Sequence, residues 1–313
     1  MIDQPHVVVL AGGEGTRLQS LTRALYGWDV PKQFAVLVGD RSLMQITIER
    51  ALRLTAADHI SVVVTAHHEA IAREQIADYP GVELVVQPRS LDTGPGLLLP
   101  LVRILATSRA RRVIFMPSDH YIPNAEPLLD ALQTANAEAI TLVGVAPTGP
   151  EVDYGWIIPG ARVGSRTYRV ERFDEKPAPE LAELLYARGG LWNTFILSGP
   201  ALAFWELACR HLPNHAAIFE AYAAAIGSCT EQAALEAAYR MMPHANFSRD
   251  VLAAADALTV VAVAGTGWTD WGSPARVFAS LAGSVEHERL VARIREPRSA
   301  RERGSFAAEH LVA

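Results

Sequence analysis

The feature that most constrains this chain is a short apolar run, Val7 to Leu10, that leads straight into a glycine-rich turn, Ala11-Gly12-Gly13-Glu14-Gly15-Thr16, closed by Arg17. An apolar run bounded by turn residues reads as a fully buried strand, the kind a parallel sheet covers on both faces. Glycines let the backbone come close to an anion, and successive N–H groups in a tight turn form a concavity that holds one. Arg17 adds a planar fork of donors, and Lys32, within Pro31-Lys32-Gln33, adds a compact second cation. Together these residues read as a polyphosphate site. Two other phosphate turns are excluded. The dinucleotide fingerprint needs a third glycine where Leu18 stands, and the P-loop needs Gly-Lys-Ser/Thr, which is absent.

LAGGEGTRL followed by PKQF resembles the signature of the sugar-1-phosphate nucleotidyltransferases, and the Gln-Phe after Pro-Lys resembles the mannose-1-phosphate guanylyltransferase branch of that family. Further stretches match in the family's order: PSDH at 117–120, YGWI at 154–157, FDEKP at 173–177, LWN at 191–193 and WTDWG at 268–272. The resemblance covers about residues 6 to 280.

Strand and helix patterns alternate from Val7 to about residue 147. Buried strands are predicted at Ile60–Thr65, Val82–Val86, Arg112–Met116 and Ile140–Val145, with a short strand or extended segment at Phe34–Gly39. Ser42 reads as a helix N-cap with Gln45 as its capping-box partner. Further helices are expected at about 68–76, 96–107 and 125–137. His67, His68 and Glu69 are adjacent at a helix start and do not face one another, so they read as a solvated first turn rather than a metal cluster. This alternation predicts an α/β fold with a doubly wound, mostly parallel Rossmann-like sheet. YGWIIPG and Tyr168–Phe173 are shorter and more polar, like a smaller antiparallel addition over the substrate. Leu191-Trp192-Asn193 opens another strand, with Trp192 expected in the core, and Leu258–Val263 is the last strand. The alanine-rich helical stretch Ala201–Tyr239 reads as support for the sugar side. The expected organisation is one catalytic domain, 1–285, with a nucleotide half to about 150 and a sugar half beyond it, then a helix and loose tail at 286–313 that would suit an oligomer contact.

Composition narrows the class. The 313 residues can bury a core, half are hydrophobic, and a net charge of −6 argues against a general nucleic-acid binder. No apolar run spans a membrane and no signal peptide opens the chain, so a cytoplasmic protein is expected. Two cysteines, Cys209 and Cys229, are too few for a disulfide framework and read as structural thiols. Of 28 basic residues only Lys32 and Lys176 are lysines, and both sit in suspected phosphate motifs. A point charge on a flexible stem can follow a moving phosphoryl group, so both are read as functional.

The resemblance implies the following site. Leu10, Ala11, Gly12, Gly13, Gly15 and Thr16 would hold the nucleotide with Gln87, Asp92, Thr93 and Gly94. The guanylyltransferase-like proteins usually read Asn-Thr-Ala-Pro where this chain has Asp92-Thr93-Gly94-Pro95, which leaves the base open, and Arg249 replaces a usual hydrophobic residue. Asp119 follows a buried strand, where an unpaired carboxylate would be costly, and with Asp270 would hold Mg²⁺. Arg17 and Lys32 would hold the triphosphate, Lys176 the sugar phosphate, and Gly155, Glu175 and Asn193 the hexose. The implied reaction is GTP plus mannose 1-phosphate giving GDP-mannose and pyrophosphate. The partners would be GTP and a hexose 1-phosphate, with a homodimer open. Alternatives are another sugar 1-phosphate (glucose or a heptose) or another nucleotide, and a catalytically silent nucleotide-sugar sensor. A nicotinamide oxidoreductase is disfavoured by Arg17-Leu18 in place of the last glycine.

Overall fold

The computed structural model describes residues 4–107, 111–135 and 138–295. Nine strands form one sheet: β1 His6–Leu10, β2 Ile60–Thr65, β3 Glu83–Gln87, β4 Arg112–Pro117, β5 Thr141–Val145, β6 Gly155–Arg162, β7 Thr167–Glu175, β8 Leu191–Pro200 and β9 Thr259–Val263. Their order is β3-β2-β1-β4-β8-β5-β9-β7-β6. β3, β2, β1 and β4 are mutually parallel, as are β5 and β9. β8 runs antiparallel between β4 and β5, and the β6–β7 hairpin extends the far edge. The α/β sheet is thus the one expected, and its two parallel groups are joined by a strand from later in the chain.

The period-2 alternation of β1 divides its valines between two cores. Val8, Val63 and Phe115 face one layer, and Val7, Val9, Ile114 and Met116 the other. Helices 19–26, 43–52, 69–76, 126–134 and 274–281 cover the second face. Helix Thr93–Thr107, almost wholly buried, covers the first. Ser42 and Gln45 form the capping box, the Ser42 hydroxyl accepting from Gln45 N–H and the Gln45 side chain accepting from Ser42 N–H.

Several expectations change. Of the two readings for Phe34–Gly39, the strand is not formed: a helical turn covers Lys32–Phe34 and Ala35 leaves it in extended backbone outside the sheet. Helices 201–211, 213–223 and 231–241, expected behind the sugar side, lie mainly along the nucleotide half. The first two pack on helix Thr93–Thr107, and the third continues that layer over the nucleotide half. His68 is buried rather than solvated, edge-on to Phe34 and hydrogen-bonded through Nδ1 to Thr65. Burial lowers its pKa. Cys209 and Cys229 are free and exposed, so neither packs in the core. Trp192 is buried with Tyr154 and Trp156, as expected. The C-terminal helix runs Val285–Arg295, and the tail after it lies outside the described residues. Among the described residues no helix is long and apolar enough to cross a membrane.

Candidate active site

β1 hands its chain to the glycine-rich turn at the carboxyl edge of the sheet, where open α/β folds bind ligands. Ala11 N–H still donates to Val63 O at 2.8 Å, and Ser118 donates its N–H and hydroxyl to Leu10 O at 3.0 and 2.8 Å. Beyond Ala11, among the described residues, the N–H groups of Gly12, Gly13 and Glu14 reach no protein acceptor. Gln33 engages the opposite polarity, its Nε2 donating to Ala11 O (3.1 Å) and Gly13 O (2.6 Å). Carbonyls are thereby occupied and amides left for an anion. Gly15 has φ 63°, and a Cβ there would lie 2.5 Å from the Lys32 nitrogen, so conformation and space both require glycine.

A pocket of about 270 Å³ opens beside this turn. Leu10, Ala11, Gly12, Gly13 and Gly15 line one wall, Gln87, Asp92 and Thr93 another, and Asp119 a third. Thr16 and Gly94 are outside it. Gly94 instead lets its helix approach the segment at 245, where its N–H donates to Ala245 O at 2.8 Å. Asp92, with φ 72°, accepts from Thr93 N–H and from Asn246 Nδ2. The pocket also takes in residues the sequence reading did not name as site residues, among them Gln33, Ser118, His120 and Phe195. Gln33, Ser118 and His120 stand inside recognised motifs. Phe195 has φ 55° at an irregularity in β8, for which the sequence carries no signal.

Charge concentrates around Asp119 at one end of the pocket, in a cluster whose Arg17, Lys32 and Asp270 do not line it. Lys32 is 2% exposed, with Nζ 2.9 Å from Asp119 Oδ2 and 2.5 Å from the backbone oxygen of Asp270. Asp119 is therefore not an unpaired carboxylate, and Lys32 is not a free cation. Burial alone would raise the Asp119 carboxyl, but the charges of Lys32, His120 and Arg17 outweigh it and bring it down to about 2. His120 sits 3.6 Å from Asp119, is itself lowered by burial, and accepts from Trp268 Nε1. Asp270 is buried, and its Oδ1 accepts from Tyr154 OH, Gly272 N–H and Arg276 Nη1. Its Oδ2 accepts from Arg17 Nη1 at 3.1 Å. Burial would raise this carboxyl as well, yet the Tyr154 hydrogen bond and neighbouring positive charge hold it below the usual range. Tyr154 and Arg276 are contacts the sequence reading did not foresee, because both reach Asp270 only through the fold.

The expected sugar residues gather at the hairpin. Gly155 pairs with Glu175 across β6 and β7, and a Cβ on Gly155 would lie 2.7 Å from Glu175 Oε2 and 3.2 Å from Asn193 Cβ. Burial raises the Glu175 carboxyl, with Lys176 opposing. Asn193 spends its oxygen on Phe195 N–H. Lys176 is exposed at φ 49°, and its ammonium has no protein partner among the described residues. None of these four residues lines the pocket above.

Asp119 and Asp270 supply hard oxygen donors suited to Mg²⁺. Among the described residues no group of three Asp, Glu, His or Cys side chains could enclose an ion. Two carboxylates without a cage suit a cation completed by substrate phosphates and water.

Amides without a protein acceptor among the described residues, a cation–carboxylate cluster and a pocket beyond the strand ends make an α/β site of a kind suited to an anion. The model of the nucleotidyl transferase family matches residues 6–281, and the chain belongs to that family. It is 34% identical over 200 residues to a mannose-1-phosphate guanylyltransferase from Salmonella montevideo, covering 60% of this chain and 41% of that one. It is 33% identical over 215 residues to an alginate biosynthesis protein from Pseudomonas putida, covering 65% and 43%. The chain spans less than half the length of these relatives. Among solved structures, one described as a mannose-1-phosphate geranyltransferase from Thermus thermophilus superposes with a TM-score of 0.78 and 28% identity, over 90% of this chain and 80% of that one.

Proposed function

We propose that this chain transfers GMP from GTP to mannose 1-phosphate. The observation that carries the proposal is the glycine turn, whose amides at Gly12, Gly13 and Glu14, unbonded among the described residues, stand beside the Arg17, Lys32, Asp119 and Asp270 cluster. A phosphate oxygen of the sugar attacks the α-phosphorus of GTP in line. The bond from that phosphorus to the bridging oxygen breaks, and pyrophosphate leaves with the electron pair. No protein nucleophile is needed, so catalysis is positioning and charge neutralisation. The turn amides hold nucleotide phosphate oxygens and Arg17 offsets charge on the leaving pyrophosphate. Lys176, its ammonium without an ion-pair partner among the described residues, orients the attacking phosphate, and Glu175 and Asn193 accept from and donate to the hexose hydroxyls. Mg²⁺ would be held by Asp119 and Asp270 and would neutralise phosphate charge. Residues to about 150 would serve the nucleotide and much of 151–285 the sugar, with helices 201–211, 213–223 and 231–241 packed along the nucleotide half. The relatives named for mannose 1-phosphate favour that sugar.

The test is pyrophosphate release with Mg²⁺ and GTP, with mannose 1-phosphate, glucose 1-phosphate or no sugar. Release with mannose 1-phosphate alone is expected. Faster release with another sugar would change the substrate and keep the mechanism, and no release with any pair would overturn the transferase.

A further inference from the structure

Gln87 ends β3 and is 3% exposed, its amide held between Gly12 and Gly96. A Cβ on Gly12 would lie 2.6 Å from Gln87 Nε2, so the amide nitrogen is the atom on the side of the phosphate turn. On the other side, the Tyr239 hydroxyl donates to Gln87 Oε1 at 3.1 Å. The hydroxyl's alternative acceptor, Pro95 O, is 3.5 Å away, at the limit of a hydrogen bond. Tyr239 is 1% exposed, and burial pushes its phenol far above the ordinary value, so it keeps its proton and remains a donor. A donor on that side fixes the amide's polarity, since only the oxygen can face it. Nε2 then points toward the pocket and has no protein partner among the described residues. Arg89, two residues on, donates to Tyr239 O through Nε at 3.1 Å, so this one stretch grips helix 231–241 through Gln87 and Arg89. Across the pocket stands the Asp92 carboxylate, fixed by Thr93 N–H and Asn246.

We infer that Tyr239 is a positioning residue for base selection: its hydroxyl sets the polarity of the Gln87 amide, so that the pocket presents a donor suited to a 6-oxo purine and set against a 6-amino purine. The inference rests on the nucleotide reading of this pocket. The O6 of guanine accepts from Gln87 Nε2, and its N1–H and N2–H₂ face a carboxylate acceptor in Asp92. Adenine would bring its own amino group against the Gln87 donor, leaving two buried donors unpaired, the arrangement by which polar sites reject wrong substrates.

Tyr239→Phe keeps the ring and removes only the hydroxyl. Pyrophosphate release with mannose 1-phosphate is measured with GTP, ITP and ATP. The ratio of kcat/KM for GTP over ATP should fall about tenfold, the loss of roughly one hydrogen bond's selectivity. The fall should lie mainly in KM for GTP. ITP should follow GTP, because it keeps O6. In a Gln87→Leu background, Tyr239→Phe should leave the ratio unchanged. An unchanged ratio in the single variant, with or without a lower Tm, would reduce Tyr239 to packing and overturn the inference. So would additive effects with Gln87→Leu. If the unaltered protein turns over no nucleotide, the transferase reading fails instead. Binding of GDP against ADP to the same proteins by calorimetry then decides the inference, an unchanged preference in Tyr239→Phe overturning it.

Discussion

The Lys32 ammonium lies 2.9 Å from the Asp119 carboxylate and bonds the backbone oxygen of Asp270, so one buried cation ties the loop after β4 to the loop after β9. Cutting a buried pair on one side leaves the other charge uncompensated. Lys32→Met should destabilise the protein by about 1–3 kcal/mol, the range reduced because Asp119 is a third exposed. Combined with Asp119→Asn, the loss should be smaller than the sum of the singles by about 1–2 kcal/mol. Urea unfolding of the four proteins measures it. Strict additivity would mean that Lys32 is held by the Asp270 carbonyl alone.

Lys176 offers a different separation. Its ammonium is exposed and without a protein partner among the described residues, so Lys176→Ala should leave Tm unchanged. KM for the hexose 1-phosphate should rise by about tenfold or more, as expected for a lost charge-assisted contact, with KM for GTP within about twofold. A selective rise in KM for GTP would assign Lys176 to the other substrate.

His6 supplies a pH dependence remote from the site. Its Nε2 shares a hydrogen bond with the Ser61 hydroxyl, which also bonds Glu83, and its Nδ1 is buried without a hydrogen-bond partner among the described residues. Burial, with the neighbouring His59, lowers its pKa from 6.5 to about 4. The unfolded chain therefore takes up this proton first as pH falls. Stability from neutral His6 is complete above pH 6.5 and is lost as pH falls toward 4. The loss should approach roughly 2–4 kcal/mol. Unfolding of the protein and of His6→Gln across that window measures it. Parallel curves would show that His6 does not contribute.

Gly94→Ala sets propensity against space. Alanine in a helix gains about 1 kcal/mol over glycine. Yet a Cβ here would sit 2.8 Å from Ala245 O and 2.9 Å from Ala245 Cβ. Overpacking should win, with a net loss of about 1–3 kcal/mol in thermal or urea unfolding. A stabilised variant would mean that the 245 segment yields easily.

The same glycine shows what was legible. Reading the chain against a familiar pattern exposed Gly94 as a departure, but only the fold supplies its cause, the close approach of residue 245. Local signals were legible: the Ser42–Gln45 box, the buried runs of β1 and β2 and the glycine turn depend on neighbours in sequence. Contacts between distant segments were not. That Lys32 is buried, that Tyr154 and Arg276 both reach one oxygen of Asp270, and that helix 231–241 reaches Gln87 follow from pairings no local pattern encodes. The solvated reading of His68 failed for the same reason, because the covering ring of Phe34 comes from another element.

The place of β8 has a consequence for how the chain acquires its shape. β4 and β5 are consecutive in sequence but do not pair, because Leu191–Pro200 lies between them. During synthesis β4 has an open edge and β5 lacks both neighbours until β8 and β9 have emerged. Sheets that depend on such distant pairings form slowly and leave strand edges exposed meanwhile. The phosphate turn is written at the beginning of the chain, yet Lys32 gains its last partner only when Asp270 arrives. A nascent chain halted before β8 would be a client for chaperones, with the completed surroundings of the glycine turn among the last features it acquires.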